Sequence, residues 1–455
     1  MTQQNFSLDN EELHQLLESD DASLKAYFSS VPYPADITEF LDHADLQQWP
    51  RLLRLIEDPE KRAEVFSGID EMKWQDLLAR LQPEEITALV LQMESDDATD
   101  IVAKLPISVR YDILRRLPVE ERRHVQQLLG YPEDSAGGIM QVELAQVYED
   151  ATVSDAVSRV RELVEDDVEV LAVWVVNKED RLVGYVALVD LLLHKATTPI
   201  RSLLETDVVT VNPLVDQEEV AHIFKKYDLI TLPVVDETNR LLGRIVIDDI
   251  VDVLAQEAEE DALRMAGTSE AELMHPTAVF STARIRLPWL AVALGCSLVS
   301  ASLLKIFAPL LESATVLYAF LPVIMAMGGN VGTQSSTILI RGFATEKADL
   351  SDMWQILFKE IRVGFLMGLV YGTCAGVVAA FILSKHNVYL GLVVFISMII
   401  AMMTAGAMGV LAPSLLKKLK IDPAISAGPF VTTMNDITGI LIYMSVAGFF
   451  LKNLE

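Results

Sequence analysis

One carboxylate stands where the surrounding sequence leaves little room for it. Between Asp422 and Lys452 every residue is uncharged except Asp436, within GPFVTTMNDITGILIYMSVAGFF, Gly428 to Phe450. The run reads as a membrane-spanning helix, and an Asp at the bilayer centre costs about 2.5–3.5 kcal/mol. Spacing of i+3/i+4 strings Pro429, Thr432, Thr433, Asp436, Gly439 or Ile440 and Tyr443 along one stripe. Ile437, Leu441, Met444 and Phe450 fall on the greasy side. Hydrogen bonding to nearby hydroxyls would make Asp436 interhelical glue. A carboxylate at such depth more often marks an ion or proton path, and no Lys or Arg sits mid-span to neutralise it. A second concentration of acid lies far upstream: Asp96, Asp97 and Asp100 are denser than helix capping requires.

Composition divides the 455 residues into two halves. From Ser281 onward there are 12 Lys/Arg and 8 Asp/Glu, which leaves 24 Lys/Arg against 57 Asp/Glu before it. An acidic front thus precedes a nearly neutral, apolar back. Such acidity argues against nucleic acid, whose binding needs basic side chains on phosphates, and suits a surface that attracts cations or simply stays soluble. The two cysteines, Cys296 and Cys374, lie in apolar runs and indicate no disulfide framework. The opening MTQQNFSLDNEELHQ lacks the pattern of a secretory signal, so the front half is expected in the cytoplasm.

The elements that must position Asp436 are apolar spans. Ser313–Ile340, Val363–Ser384 and Asn387–Leu416 carry no charge, and Leu287–Leu311 carries only Lys305. Each is long enough to cross a bilayer, and the Asp436 segment makes five. Arg284, Arg286, Arg341, Lys347, Lys359, Arg362, Lys417, Lys418 and Lys420 fall on one side, Lys385 and Lys452 on the other. The positive-inside rule puts the first set, and the N-terminal half, in the cytoplasm and the C-terminus outside. Gly364, Gly368, Gly372 and Gly376 form an i, i+4 stripe that reads as helix packing rather than pore lining. Gly328, Gly329 and Gly332, in MAMGGNVGTQSS, predict a break in helical backbone and a pore mouth with Asn330 as a polar participant.

Two repeats organise the acidic half. VWVVNKEDRLVGYVALVDLL (residues 173–192) overlays LPVVDETNRLLGRIVIDDIV (232–251) at a constant offset of 59, matching Arg181 to Arg240, Gly184 to Gly243 and Asp190 to Asp249. Each copy predicts helix, strand, turn, strand, helix, and resembles a CBS module. Nucleotide-binding CBS pairs place Ser or Thr just before the final Asp. Neither 186–189 nor 246–248 supplies one, which argues against adenosine nucleotides and leaves ATP binding an open alternative. Earlier, Ile69, Leu81, Met93, Leu105 and Leu117 recur every 12 residues ahead of Pro, Ser or acidic helix starts, predicting a superhelix of short helices. Asp249, Asp252, Glu257, Glu260 and Asp261 then lie on or beside a helix expected over Val251–Met265, which leads to the first span.

Taken in order, these parts resemble the MgtE family of magnesium transporters and channels over essentially the whole chain, with GGNVGTQSS and GPFVTTMNDITG as the specific motifs. The resemblance implies an all-α superhelical N domain (1–134), an α/β tandem CBS pair (135–254, divided at 199/200), a connecting or plug helix (255–283) and an all-α membrane domain of five helices (284–455). It implies a homodimer in the cell membrane with one pore, Asp436 of each subunit at its selective site, and Gly328, Gly329, Asn330, Thr432 and Thr433 lining it. It further implies Mg2+ as both substrate and regulator, sensed at Glu64, Asp96, Asp97, Asp100, Glu218, Asp228, Asp249, Asp252, Glu257, Glu260 and Asp261. No enzyme is expected: an intramembrane aspartyl protease needs two acids, and the uncharged spans offer Asp436 alone. A proton-coupled carrier of Co2+ or Mn2+ is the alternative, since a lone carboxylate also suits protons.

Overall fold

The computed structural model describes residues 10–17, 19–165, 168–269, 272, 279–313, 315–345, 347–383, 388–426 and 428–450. Lys385 and Lys452, two of the flanking charges used for orientation, lie outside them. The chain forms two units, Met1–Glu257 and Ala258–Glu455.

The first unit opens with ten short helices among its described residues: α1 (Asn10–Leu17), α2 (Asp21–Ser30), α3 (Pro34–Asp42), α4 (Trp49–Leu55), α5 (Pro59–Ser67), α6 (Glu71–Leu78), α7 (Pro83–Val90), α8 (Ser95–Lys104), α9 (Ile107–Arg116) and α10 (Val119–Leu128). Their starts are written locally. Asp58 and Asp70 cap backbone N–H groups of Glu60 and Met72, and Pro opens α3, α5 and α7. Each helix packs mainly on the next but one, as in α3 on α5, α5 on α7 and α7 on α9. That pattern winds the superhelix. The 12-residue marker residues Ile69, Leu81, Leu105 and Leu117 are all buried in its core, and Met93 packs against it. Each fully buried Leu or Phe there contributes about 1.5–3 kcal/mol.

The repeated modules follow. The first holds β1 (Gln146–Tyr148), α11 (Val153–Glu165), β2 (Ala172–Val176), β3 (Leu182–Ala187) and α12 (Leu188–Leu193), with β2 central, parallel to β1 and antiparallel to β3. The second holds α13 (Gln217–Tyr227), the antiparallel pair β4 (Thr231–Val235) and β5 (Leu241–Val246), and the long helix α14 (Ile247–Ala266). The matched glycines do the same job in both copies. A Cβ on Gly184 would lie 2.2 Å from the Glu205 carbonyl oxygen, and one on Gly243 would lie 2.5 Å from that of Gln141. The matched turns meet each other: Leu182 N donates to Asn239 O and Leu241 N to Asp180 O, with Asp180 and Asn239 both left-handed.

Five helices of the second unit are long and apolar enough to cross a membrane: α15 (Val279–Ile306), α17 (Leu321–Ala344), α18 (Met353–Val377), α19 (Val388–Lys418) and α20 (Pro429–Phe449), with the short α16 (Ala308–Ser313) after α15. The glycine stripe of α18 packs on α19. Cβ atoms at Gly364 and Gly368 would fall 2.6 Å from Met402 O and from Ile399 Cα. One expectation fails here. The GGNVG stretch is uninterrupted helix within α17; at Gly332 the missing side chain admits neighbouring helices, since a Cβ there would strike the Asn435 side chain and Gly409 packs on the Gly332 carbonyl, whereas a Cβ on Gly328 would meet open space.

Candidate functional site

In the first unit, acids from distant parts of the sequence meet. Asp96 is buried on the first turn of α8, and burial followed by the charge of Asp249 on α14 pushes its carboxyl well above the ordinary range. Burial likewise lifts Asp100 and Asp249 to about 8, with Glu71 and Asp248 adding to the respective shifts. Asp97 and Asp252 move the same way, burial first, each with the Asp248 charge contributing. Glu94, on the accessible rim, reaches about 7 through lost hydration and the Asp97 charge. Asp96 Oδ1 and Asp249 Oδ2 are buried without a hydrogen-bond partner. Crowded, unpaired carboxylate oxygens of this kind are donors for a hard divalent cation.

Other expected sensing residues are placed differently. Glu64 is exposed on α5, one turn before Ser67, whose side chain bonds Asp97. Glu218 is exposed at the start of α13, next to Gln217, which donates to Glu257 Oε1 at 2.7 Å. Asp228 caps the other end of α13 in a left-handed conformation, about 15 Å away along the helix, so α13 holds these two acids apart. Glu260 pairs with Arg264, which also holds Asp422, and Asp261 is half-buried on the same stretch of α14. Glu94, two residues before Asp96, and Asp248, next to Asp249, were not singled out in the sequence. Only the fold shows that both face the cluster.

In the second unit, α20 packs on α15, α17 and α19. Its anchors are Ile440, Tyr443, Met444 and Ala447, all fully buried, and Tyr443 donates to the Leu317 carbonyl at 3.1 Å. Asn435 is buried, donates to Gly328 O at 3.5 Å, and leaves its own carbonyl oxygen unpaired. Asp436 follows it, half-exposed, and no Lys or Arg pairs with it among the described residues. Thr433 is buried and bonds Phe430 O; Thr432 bonds Gly428 O. Gly328 and Gly329 are buried, whereas Asn330 is exposed.

A second buried acid escaped the sequence reading. The sequence reading does not single out Glu360, which precedes the uncharged run starting at Val363; α18 begins at Met353 and carries Glu360 two turns inward. There it is 7% exposed and accepts from Ser335 of α17 at 2.7 Å. Among the described residues, Asp436 is therefore not the only acid on the long apolar helices.

The end of α14 touches the membrane helices. Met265 packs with Ile340 and Ala424, and a Cβ on Gly428, at the mouth of α20, would lie 2.6 Å from Met265 O. Gly267, with φ 78°, stops the helix just beyond. α14 carries Asp249 and Asp252 in its first two turns and Met265 in its last.

Together these parts define a multi-pass membrane protein with an acidic helical domain and a CBS pair. Family models for the MgtE divalent cation transporter, the MgtE intracellular N domain and the CBS domain match residues 321–446, 33–134, and 136–196 with 200–256. The magnesium transporter MgtE of Enterococcus faecalis is 36% identical over 90% of each chain, and that of Bacillus subtilis 35% identical over 73% of each. A solved structure described as the cytosolic domain of the Mg2+ channel MgtE in complex with ATP aligns with 53% of this chain and 97% of its own, at 29% identity and TM-score 0.50. The chain belongs to the MgtE family.

Proposed function

We propose that this protein conducts Mg2+ across the cell membrane as a homodimer, N-terminus cytoplasmic and C-terminus outside, and that its acidic cytoplasmic domains close the pore when internal Mg2+ is high. The observation that carries the conduction step is the half-exposed Asp436, next to the buried Asn435, on the helix anchored by Tyr443, and with no basic partner among the described residues. A pair of such carboxylates around a twofold axis would attract a hydrated cation. Mg2+ gives up its water reluctantly, so two carboxylates can hold it through its water shell and still let it leave. Thr432, Thr433, Gly328, Gly329 and Asn330 are the proposed neighbours of that path. The similarity to named magnesium transporters selects Mg2+ over the Co2+ or Mn2+ alternative.

Regulation rests on the carboxylates of α8 and α14. Asp96, Asp97, Asp100, Asp249 and Asp252 supply the hard oxygen donors that suit Mg2+, with Glu64, Glu218, Asp228, Glu257, Glu260 and Asp261 as further proposed sensing positions. A bound divalent ion supplies positive charge that compensates the buried acids. Without it, the buried carboxylates must either keep protons or repel as they ionise, and separation of α8 and α14 lets them ionise in water. Because α14 ends on the segment before Asp436, its displacement frees that segment. A ligand shifts such an equilibrium only through unequal affinity for the two states, and donors gathered in one state alone provide that inequality. The test is Mg2+ uptake by proteoliposomes carrying Asp436→Asn at several pH values. Loss of uptake supports the pore assignment, unchanged uptake refutes it, and uptake driven by a pH gradient would favour proton coupling.

A further inference from the structure

The junction between the helical domain and the first module holds a cluster of different chemistry. Glu121 and His124 stand at i, i+3 on α10, and Glu143 comes from the segment entering the first module. One ligand atom from each lies within 4.8 Å of the others. The Glu143 carboxylate is fixed in place: Ser95, buried at the start of α8, donates to its Oε2 at 2.7 Å and accepts from Val142 N at 3.0 Å. That leaves Oε1 facing His124 Nδ1 at 3.7 Å, an ion-pair distance when the imidazole is protonated but beyond hydrogen-bond reach. The nitrogen is buried and has no hydrogen-bond partner. Two ligands about 2.1 Å from one ion and 3.7 Å apart subtend roughly 120° at it, close to tetrahedral coordination.

We infer that Glu121, His124 and Glu143 form a site for a borderline divalent transition metal, of the Zn2+ or Co2+ class, separate from the all-oxygen cluster of Asp96 and Asp249. Imidazole selects such ions, whereas all-oxygen donors suit Mg2+. Glu-x-x-His on one helix with a carboxylate from another segment is an arrangement that metal-binding helical proteins use. Ser95 takes the supporting role that orients a ligating carboxylate. The assignment is independent of Mg2+ conduction. An ion there would tie α10 to the segment entering the first module and stiffen that junction.

The test uses the full-length protein in detergent with Mg2+ in large excess, so that the oxygen sites are saturated, and Co2+ as the probe. Its visible absorption reports nitrogen ligation and low coordination number. Wild type is expected to retain one Co2+ per chain with that absorption. His124→Ala is expected to weaken binding at least tenfold and remove the band. Glu121→Gln, at an exposed position where folding is not at risk, is expected to weaken binding several-fold. Failure of wild type to retain Co2+ over Mg2+, or binding and spectrum unchanged by either substitution, would overturn the assignment.

Discussion

Gly428 lies so close to Met265 that a Cβ on it would fall 2.6 Å from the Met265 carbonyl oxygen. Side-chain carbons do not approach backbone that closely, so the end of α14 can rest on the start of the Asp436 helix only because residue 428 has no side chain. Gly428→Val is therefore expected to push α14 away and weaken closure. Proteoliposome uptake should stay high at internal Mg2+ concentrations that shut the wild type, with the half-inhibiting concentration raised several-fold. An unchanged inhibition curve would detach this contact from gating.

The acidic cluster makes a pH prediction with a definite sign. Asp100 and Asp249 titrate near 8 and Glu94 near 7 in the folded protein, against ordinary values of 3.8 and 4.5. The folded state holds more protons than the unfolded one between those limits. The contribution of these three groups to stability is therefore fully present below about pH 4 and is lost as pH rises to about 8. In chelator, the thermal midpoint of the full-length protein should drop over that window. Added Mg2+ must displace the protons, so its stabilising shift should be larger at pH 8 than at pH 6. A shift independent of pH would mean that the ion does not bind these carboxylates.

A third expectation concerns packing. A methyl group at Gly332 would collide with the Asn435 side chain, and overpacking of this kind typically costs about 1–3 kcal/mol. Gly332→Ala should lower the unfolding midpoint in detergent and reduce transport, because Asn435 adjoins Asp436. Gly295→Ala, where a Cβ meets nothing within 4 Å, is the control expected to change neither.

Much of this architecture was legible from the sequence. Charge-free runs revealed the spans, the 59-residue offset the paired modules, and the 12-residue marker residues the superhelix, since each reflects a local periodicity. What stayed hidden depended on tertiary placement. The glycines of GGNVG signalled a break because the sequence gives no hint that Asn435 and Gly409 fill the space beside Gly332. Glu360 was not singled out because the span was judged from the uncharged run starting at Val363, which leaves it just outside. The Glu121, His124 and Glu143 cluster joins residues 22 positions apart, with the Glu-x-x-His pair buried in a run of charges that reads as a solvated helix face.

The central claim is that the Asp436 carboxylate holds the permeating ion. Single-channel recording of the reconstituted protein, at low internal Mg2+ so that closure does not interfere, tests it most directly. Wild type should carry Mg2+ current and Asp436→Asn should lose at least nine-tenths of it, while purified with the same oligomeric state and unfolding midpoint. Full Mg2+ conductance in Asp436→Asn would contradict the account.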